Sequence, residues 1–505
     1  MSEPDRLSDP TAAAMGWLAG EPADDPVADL AALREWFGRV SQADADAPQR
    51  QEVLDAFSAR ALDICGRFGP RLISASLPLA REMHLAAASL VDALLEIAAA
   101  CQRQAEDGRG RWRLVSGGDP LEAAAQAQLL VGEAYLIGCM AGAVAPSGLW
   151  LHAHALMAGV SSADLLADSG AAARLTAQYK RLLAIAVAQP ESLTARELAW
   201  LFDYLGDFSV PAELSLSSLL PEQMSYWMDC AQDGPPVAAA RRQAPEGVRV
   251  LHFTPVPLVR MVDQQMTWLE SRILEAEVVG LERDGELLAP DVSGLPEGLT
   301  PVEALTLLRR LRGRWTLPPM RELPRRKHQY TVQVCTGLRA IWEMARRGEE
   351  NVTLAEWLVF NESPGGYAIM CVAGVEGVLS AGMALALRRD ASQPWSICIV
   401  RWLRSENPDQ VELGLQLLSQ AFTPVSVGFR GSDIRGTAPA LILPPMAAVR
   451  RNQAILAPAG SYVSRRFILV HESSHLYIAQ ARVLGLDMQT AAVELFQYEI
   501  DPYPI

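Results

Sequence analysis

The spacing of apolar residues along the chain changes once, near residue 321. Before that point apolar side chains recur every three or four positions; Leu90, Leu94 and Ala98, for example, fall on one face of a helix and Glu96 on the other. This periodicity predicts amphipathic helices that pack as a bundle or an irregular helical-repeat stack. Stripes of this kind occur near residues 27–37, 48–65, 85–100, 121–141, 172–188 and 195–205.

Two more helices are predicted beyond a polar connection at residues 207–246, namely Gln264–Leu281 and Pro301–Arg312. Thr300 and Glu303 stand at the start of the second helix, three residues apart. This spacing predicts a capping box, in which each side chain accepts a hydrogen bond from the backbone amide of the other residue.

After residue 321 the pattern becomes that of strands. Five short segments rich in β-branched and aromatic residues are separated by glycine-bearing turns, and together they predict a small antiparallel β-barrel. A further β-rich segment includes Arg465–Val470 and Ala491–Tyr498. The five predicted strands are Tyr330–Val334, Glu356–Phe360, Met383–Leu387, Trp395–Val400 and Val411–Leu417, and a helical insertion, Leu338–Arg347, follows the first.

The predicted fold is therefore multidomain α+β: an all-α helical N-terminal half, then a small antiparallel β-barrel and a β-rich C-terminal segment. The N-terminus, rich in Pro, Asp and Ala, is predicted to be flexible. The predicted division is a tail at 1–25, a helical domain at 26–246, a mostly helical connecting segment at 247–320, the barrel at 321–430 and the C-terminal segment at 431–505.

Composition predicts a soluble cytoplasmic protein. Half of the residues are apolar and 20% are charged, as in globular proteins. The seven cysteines include no Cys-x-x-Cys pair, which favours reduced thiols over a disulfide framework or a zinc ribbon. We find no signal-peptide pattern at Met1, and the most apolar stretch, Leu129–Val144, is too short to cross a bilayer. No membrane insertion is expected.

A cationic segment lies where the helical and strand patterns meet. Between Arg309 and His328 the chain carries eight Lys or Arg residues and one acid, Glu322, although its net charge is −15. The overall charge argues against broad DNA or RNA binding, which requires a basic surface. The part of this segment at Arg309–Arg314 has two explanations. It is either a solvated helix end, where arginines interact favourably with the dipole, or an extension of an anion site.

The rest of the cationic segment has the chemistry of a phosphate or purine site. Arg321 and Arg325 flank Pro324, which disfavours helix and predicts a stiff, extended arm before the first strand. Arginine donates to phosphate bidentately, matches the edge of guanine and stacks on purine faces. Arg326 and Lys327 extend the same arm, so they could share this role.

A polar turn follows the second predicted strand. Asn361 can cap the turn, Ser363 supplies a hydroxyl, and Gly365 and Gly366 allow close backbone approach. The arm and this turn could hold an anionic purine nucleotide from two sides of one barrel. The alternative is an ordinary turn beside solvated arginines.

These residues resemble the PilZ domain, whose signature is Arg-x-x-x-Arg followed by Asp/Asn-x-Ser-x-x-Gly. The resemblance runs from Arg321 to Leu417, and the helical first half looks like that of long proteobacterial PilZ-domain proteins. It implies a non-enzymatic receptor or adaptor that binds cyclic di-GMP and couples binding to a helical, partner-binding domain. The ligand-binding residues it implies are Arg321, Arg325, Asn361, Ser363 and Gly366, with Arg326 as an alternative arm contact.

Two other functions are compatible with the sequence. The barrel could be a degenerate PilZ scaffold that acts only through protein–protein contacts, because the predicted first strand begins later than usual after Arg325. His471-Glu472-Ser-Ser-His475 is also a literal H-E-x-x-H motif, which on a helix would bind zinc for peptide hydrolysis. The flanking β-branched and aromatic residues instead predict a strand, a turn and a second strand, so no metal site is expected.

Overall fold

The computed structural model describes residues 10–42, 47–110, 119–206, 211–220, 224–246, 248–279, 294–318, 324–371, 379–429, 437–446, 450–463, 466–472 and 475–501. Its helices are α1 (Pro10–Leu18), α2 (Pro26–Val40), α3 (Ala47–Ser74), α4 (Arg81–Gly110), α5 (Pro120–Met140), α6 (Leu149–Leu156), α7 (Gly170–Val187), α8 (Ala195–Gly206), α9 (Val256–Val279), α10 (Pro301–Thr316) and α11 (Leu338–Arg347). The fold class predicted from the sequence, a helical half followed by antiparallel β-structure, is confirmed.

The helical half is built on one continuous apolar core, which extends from Ala14 in α1 to Trp315 in α10. The indole of Trp315 is fully buried and donates to the Ala184 carbonyl of α7 at 3.0 Å. The segment predicted as a connection at 247–320 therefore supplies α9 and α10 to the core of the helical domain. The capping box of Thr300 and Glu303 at the start of α10 is confirmed.

Two predictions for the N-terminal half are corrected. Pro10–Leu18, within the predicted flexible tail, is a helix because Ala14 and Thr11 are buried against α2 and α3. The polar connection after α8 contains strands that pair with β4 in a four-stranded sheet of order β1-β4-β2-β3. These strands are β1 (Glu213–Ser215), β2 (Tyr226–Asp229), β3 (Val237–Ala238) and β4 (Val250–Thr254).

One described helical stretch, Arg81–Glu106 of α4, is long and apolar enough to cross a membrane by length and composition alone. Half of its apolar window is buried inside the protein. It packs along α5, with Leu90 and Leu94 fully inaccessible, as expected of a core helix.

The first barrel is closed and has six antiparallel strands. Its strand order is β10-β7-β6-β5-β8-β9, with β10 paired to β7 and β9 to complete the ring. The sequence missed β7, and it placed the start of β5 four residues too late. The strands are β5 (Arg326–Thr336), β6 (Ala355–Ser363), β7 (Gly366–Cys371), β8 (Ala384–Arg388), β9 (Ser396–Asn407) and β10 (Gln410–Ser419).

A second closed barrel follows, with order β11-β12-β13-β16-β15-β14. If the strands of each barrel are numbered one to six in chain order, both barrels close in the order 1-2-3-6-5-4. The two barrels therefore share one topology. Because β11 pairs with β12 and β14, the first barrel ends at Ser419, before the predicted boundary at 430. The strands are β11 (Thr423–Phe429), β12 (Ala438–Leu443), β13 (Ala454–Pro458), β14 (Arg466–Glu472), β15 (Leu476–Gln489) and β16 (Val493–Ile500).

A shared apolar core joins the two barrels. Ala386 and Ile399 on the outer face of the first barrel pack with Leu441 and Leu495 on the outer face of the second. The predicted insertion helix α11 is confirmed and lies between them, with Ile341 fully buried. Polar contacts add to this apolar surface, since the Thr490 hydroxyl donates to the Gly382 carbonyl at 2.7 Å and Arg450 Nη2 donates to the Leu418 carbonyl at 3.2 Å.

The helical domain contacts the first barrel through backbone hydrogen bonds. The Leu379 amide donates to the Leu77 carbonyl at 3.1 Å, and the Ser405 amide donates to the Gly142 carbonyl at 2.8 Å. Leu77 also packs against the core of the first barrel. The barrel is thus seated on the loops that follow α3 and α5.

Glu133 of α5 provides a test of the helical core. Burial raises the pKa of this carboxyl to about 7, an effect that Asp203 increases and Arg181 opposes. The folded protein therefore holds a proton that the unfolded chain releases near 4.5, so stability falls as pH rises from about 4.5 to about 7. Glu133→Gln lacks this titrating carboxyl. The free energy of unfolding of the variant relative to the wild type should therefore be larger at pH 8 than at pH 5, by up to about 3 kcal/mol.

Urea unfolding at the two pH values measures this difference. Glu122→Gln is the matched control, because Glu122 lies on the same helix with its side chain 53% exposed. An equal stability difference at both pH values for Glu133→Gln would contradict the assignment.

Candidate functional site

The cationic arm leads directly into strand β5. Arg325 precedes the strand, and Arg326 and Lys327 are its first residues, all of them exposed. None of these three residues forms an ion pair with any described residue. The late strand start that the sequence predicted is wrong, because β5 begins at Arg326. Arg321 lies outside the described residues.

Strand pairing places this arm beside the polar turn. Arg326 pairs with Glu362, and Lys327 pairs with Asn361, across the β5–β6 ladder. Paired residues in an antiparallel ladder have Cα atoms about 4.5–5.5 Å apart. The arm and the turn therefore form one surface, which we call the arm–turn site (Arg325, Arg326, Asn361, Ser363 and Gly366).

Two bulges bend the ladder at this point. One extra residue lies in β5 between Lys327 and Tyr330, and another lies in β6 between Val359 and Asn361. Bulges re-aim side chains, which is why they are frequent beside functional sites. The Asn361 Oδ1 atom is buried and has no hydrogen-bond partner among the described residues. A ligand with an N–H group could supply that partner.

The far side of the turn depends on a close backbone approach. Ser363 and Gly366 are paired where β6 turns into β7, and the Ser363 hydroxyl donates to the Gly366 carbonyl at 3.3 Å. A Cβ atom added to Gly366 would lie 1.9 Å from the Leu415 carbonyl oxygen of β10. Only glycine allows β7 to lie this close to β10, so Gly366 is required for barrel closure at the site.

One carboxylate, Glu362, faces the cationic arm. Its Oε2 accepts a hydrogen bond from the Tyr330 hydroxyl at 2.8 Å and lies 3.9 Å from His328 Nε2. Burial and Glu362 raise the pKa of the Tyr330 phenol, which therefore stays a neutral donor. The Arg389 guanidinium lies over the Tyr330 ring, 4.8 Å from its centroid. Glu362 is thus engaged by its neighbours, and the arm keeps its positive charge.

An aromatic platform next to the turn was missed by the sequence analysis. Trp402 of β9 pairs with Gly414 of β10, and a Cβ on Gly414 would lie 1.9 Å from the indole Nε1. The indole therefore lies across the strand, in the same cross-strand row as Ala368 and Asn361. Arg404 stacks on the ring at 5.1 Å. A glycine inside the apolar β10 pattern was the only sequence signal for this contact.

The H-E-x-x-H motif is not on a helix. His471 and Glu472 end β14, and His475 follows at the turn to β15, with Tyr477 paired to His471. Glu472 forms an ion pair with Arg346 of α11. The described residues contain no group of three His, Cys, Asp or Glu side chains placed to hold a metal ion. The helical geometry that a zinc peptidase requires is therefore contradicted.

Comparison with known families identifies the first barrel. Residues 342–424 match the family model described as "Cyclic-di-GMP receptor FimW, middle PilZ domain". The first barrel is therefore similar to PilZ domains, and we call it the PilZ barrel. Residues 12–221 match the model described as "Cyclic-di-GMP receptor FimW, N-terminal domain". The PilZ match includes Asn361, Ser363 and Gly366 but begins after the arginine arm.

A curated relative is similar to part of the chain. The cyclic-di-GMP receptor FimW of Pseudomonas aeruginosa is 30% identical over 142 residues, which is 28% of this chain. The matched region covers 23% of the length of that relative. The PilZ resemblance expected from the sequence is confirmed, whereas the roles of the individual arm–turn residues remain a prediction.

The close approach at Gly366 gives a second test. Gly366→Ala should destabilise the PilZ barrel by about 1–3 kcal/mol, because the new methyl group overlaps the β10 backbone. Thermal or urea unfolding measures the change. Gly485→Ala in β15 is the matched control, since no heavy atom lies within 4 Å of the added Cβ there. Equal stability of the two variants would show that β7 can move away from β10 at little cost.

Proposed function

We propose that this protein is a cyclic di-GMP receptor that acts by binding rather than by catalysis. The observation that carries the proposal is the pairing of the free cationic arm with the turn that contains Asn361, Ser363 and Gly366. The name of the matched relative supports the same ligand. We place the receptor in the cytoplasm, in keeping with seven cysteines that are all free thiols.

The arm–turn site has donors for both parts of the ligand. Arg325 and Arg326 are exposed and can direct their planar forks at the phosphates or at the guanine O6/N7 edge. The Asn361 Oδ1 can accept from a guanine N–H, which would satisfy an atom that otherwise lacks a partner. Ser363 offers its hydroxyl at the same edge, and Gly366 keeps the backbone within reach.

Arg321 is proposed as a further arm contact, on the strength of the signature alone. The arm joins α10 to β5, so a ligand that fixes the arm on the barrel also fixes the connection to the helical domain. A switch of this kind requires the ligand to bind the fixed arrangement more tightly than the free one. The helical domain is then the module that binds a protein partner.

Calorimetric titration with cyclic di-GMP tests the site. Arg325→Ala should abolish measurable binding and Ser363→Ala should weaken it strongly, since hydrogen bonds to charged groups contribute about 1.5–3 kcal/mol, or roughly a tenfold to hundredfold change in affinity each. Arg339→Ala is the matched control, because this arginine is exposed on α11, away from the arm. Absence of binding to the wild type would favour the degenerate scaffold, and unchanged affinity in Arg325→Ala would remove the arm from the site.

The indole of Trp402 is expected to stack on a guanine. Trp402→Ala should weaken cyclic di-GMP binding by roughly tenfold, and Trp402→Phe should restore most of it, because stacking on an aromatic ring contributes about 1–3 kcal/mol per base. Trp36→Ala is the matched control and should bind as wild type does. Trp36 also has an arginine over its ring, Arg39 at 4.9 Å, but it lies in α2. Equal affinities of Trp402→Ala and wild type would exclude the platform.

A further inference from the structure

Three arginines meet where the helical domain contacts the PilZ barrel. Arg310 and Arg314 are one turn apart on α10, so they lie on the same face of the helix. Arg401 lies on β9, which packs against the 3₁₀ turn Pro190–Ser192 of the helical domain. The three charges are close enough to act on one another. We call these residues the junction arginines.

Among the described residues, the contacts of Arg310 and Arg314 leave several of their guanidinium N–H donors unused. Arg310 forms an ion pair with Glu197 of α8, and its Nε is buried without a partner among the described residues. Arg314 donates from Nη1 to the Ala188 carbonyl at 2.6 Å. A guanidinium has five N–H donors, so both side chains are held in place while further N–H groups stay available.

Arg401 is presented by an irregularity in its strand. Gly414 pairs with Trp402 and Leu415 pairs with Val400, so Arg401 is the extra, unpaired residue of a bulge. It is exposed and forms no ion pair with a described residue. A bulge re-aims the side chain of its extra residue, and the charge of Arg401 acts on Arg314 and is acted on by Arg310 of α10.

The charges at the junction are not balanced. Among the described residues, two carboxylates act on Arg314, those of Glu197 and Glu191, and Glu197 forms an ion pair with Arg310. Burial, with the nearby charges of Arg310 and Arg401, lowers the pKa of Arg314 to about 9, so it remains protonated at neutral pH. Like charges held this close repel one another, and an anion between them would remove that repulsion.

We propose that Arg310, Arg314 and Arg401 form a phosphate-binding site at the junction of the helical domain and the PilZ barrel, separate from the arm–turn site. Planar forks from two elements suit a phosphate group, which each guanidinium can bind bidentately. The phosphate belongs either to a cyclic dinucleotide or to a free phosphate compound. Since its ligand joins α10 to β9, binding holds the two domains together whether or not the arm–turn site is occupied.

Calorimetric titration of the full chain with sodium pyrophosphate tests this site. Wild type should bind saturably, and Arg401→Gln should bind at least roughly tenfold more weakly, the loss expected for charge-assisted hydrogen bonds. Arg314→Lys keeps the charge but removes the fork, so it should also bind more weakly. Arg339→Gln, exposed on α11, should bind as wild type does. Arg401→Gln should lose the same affinity in an Arg325→Ala background, which separates this site from the arm–turn site.

The proposal is overturned if wild type shows no saturable binding, or if Arg401→Gln binds as tightly as wild type while its circular dichroism shows it folded. Titration of Arg325→Ala, which disables the arm–turn site, with cyclic di-GMP then identifies the source of the phosphate. Residual binding that disappears in the Arg325→Ala, Arg401→Gln double variant assigns a cyclic dinucleotide to the junction. Binding of pyrophosphate alone assigns a free phosphate compound. Either result is independent of whether the arm–turn site binds nucleotide.

Discussion

Closure of the PilZ barrel between β7 and β10 is the contact on which the candidate site depends. Gly366 brings the turn against the β10 backbone, and Gly414, one strand further, leaves room for the Trp402 indole. A side chain at either glycine would separate the strands or displace the ring. Because β6 and β5 follow β7 in the ring, this spacing also fixes where Arg326 meets Glu362 and Lys327 meets Asn361. The chemistry of the site is therefore set by backbone contacts that carry no charge.

The second barrel shows how the same topology can have a different use. In the PilZ barrel, the outer face of its second, third and sixth strands carries the polar turn and Gly414, over which the Trp402 indole of β9 lies. In the C-terminal barrel, the corresponding strands β12, β13 and β16 present Leu441, Leu456 and Leu495 to the shared core with the PilZ barrel. Desolvated apolar side chains at this face leave no place for a nucleotide. In the C-terminal barrel, the face that corresponds to the candidate site therefore packs against the PilZ barrel and holds the two barrels together.

Periodicity predicted the helices and most strands, because buried faces repeat along the chain wherever a helix or strand is regular. It failed where regularity ends. The bulge after Lys327 hid the start of β5, and the short strand β7, opening with Gly366, offered little alternation. The row formed by Trp402, Gly414 and Asn361 joins positions far apart in sequence, so it requires strand order and register, which a single sequence does not give. Motif residues could be predicted, whereas the residues that complete the site could not.

The position of α10 decides how a ligand could affect the rest of the molecule. This helix is part of the helical core through Trp315, carries Arg310 and Arg314 at the junction, and leads into the arm. Its core contacts are extensive, so α10 cannot shift without exposing Trp315. A ligand on the arm is therefore expected to act on the contact between the helical domain and the PilZ barrel, and not on the helical core. The free energy of this coupling is limited to the difference in ligand affinity between the arrangement with the arm fixed on the barrel and the arrangement with the arm free.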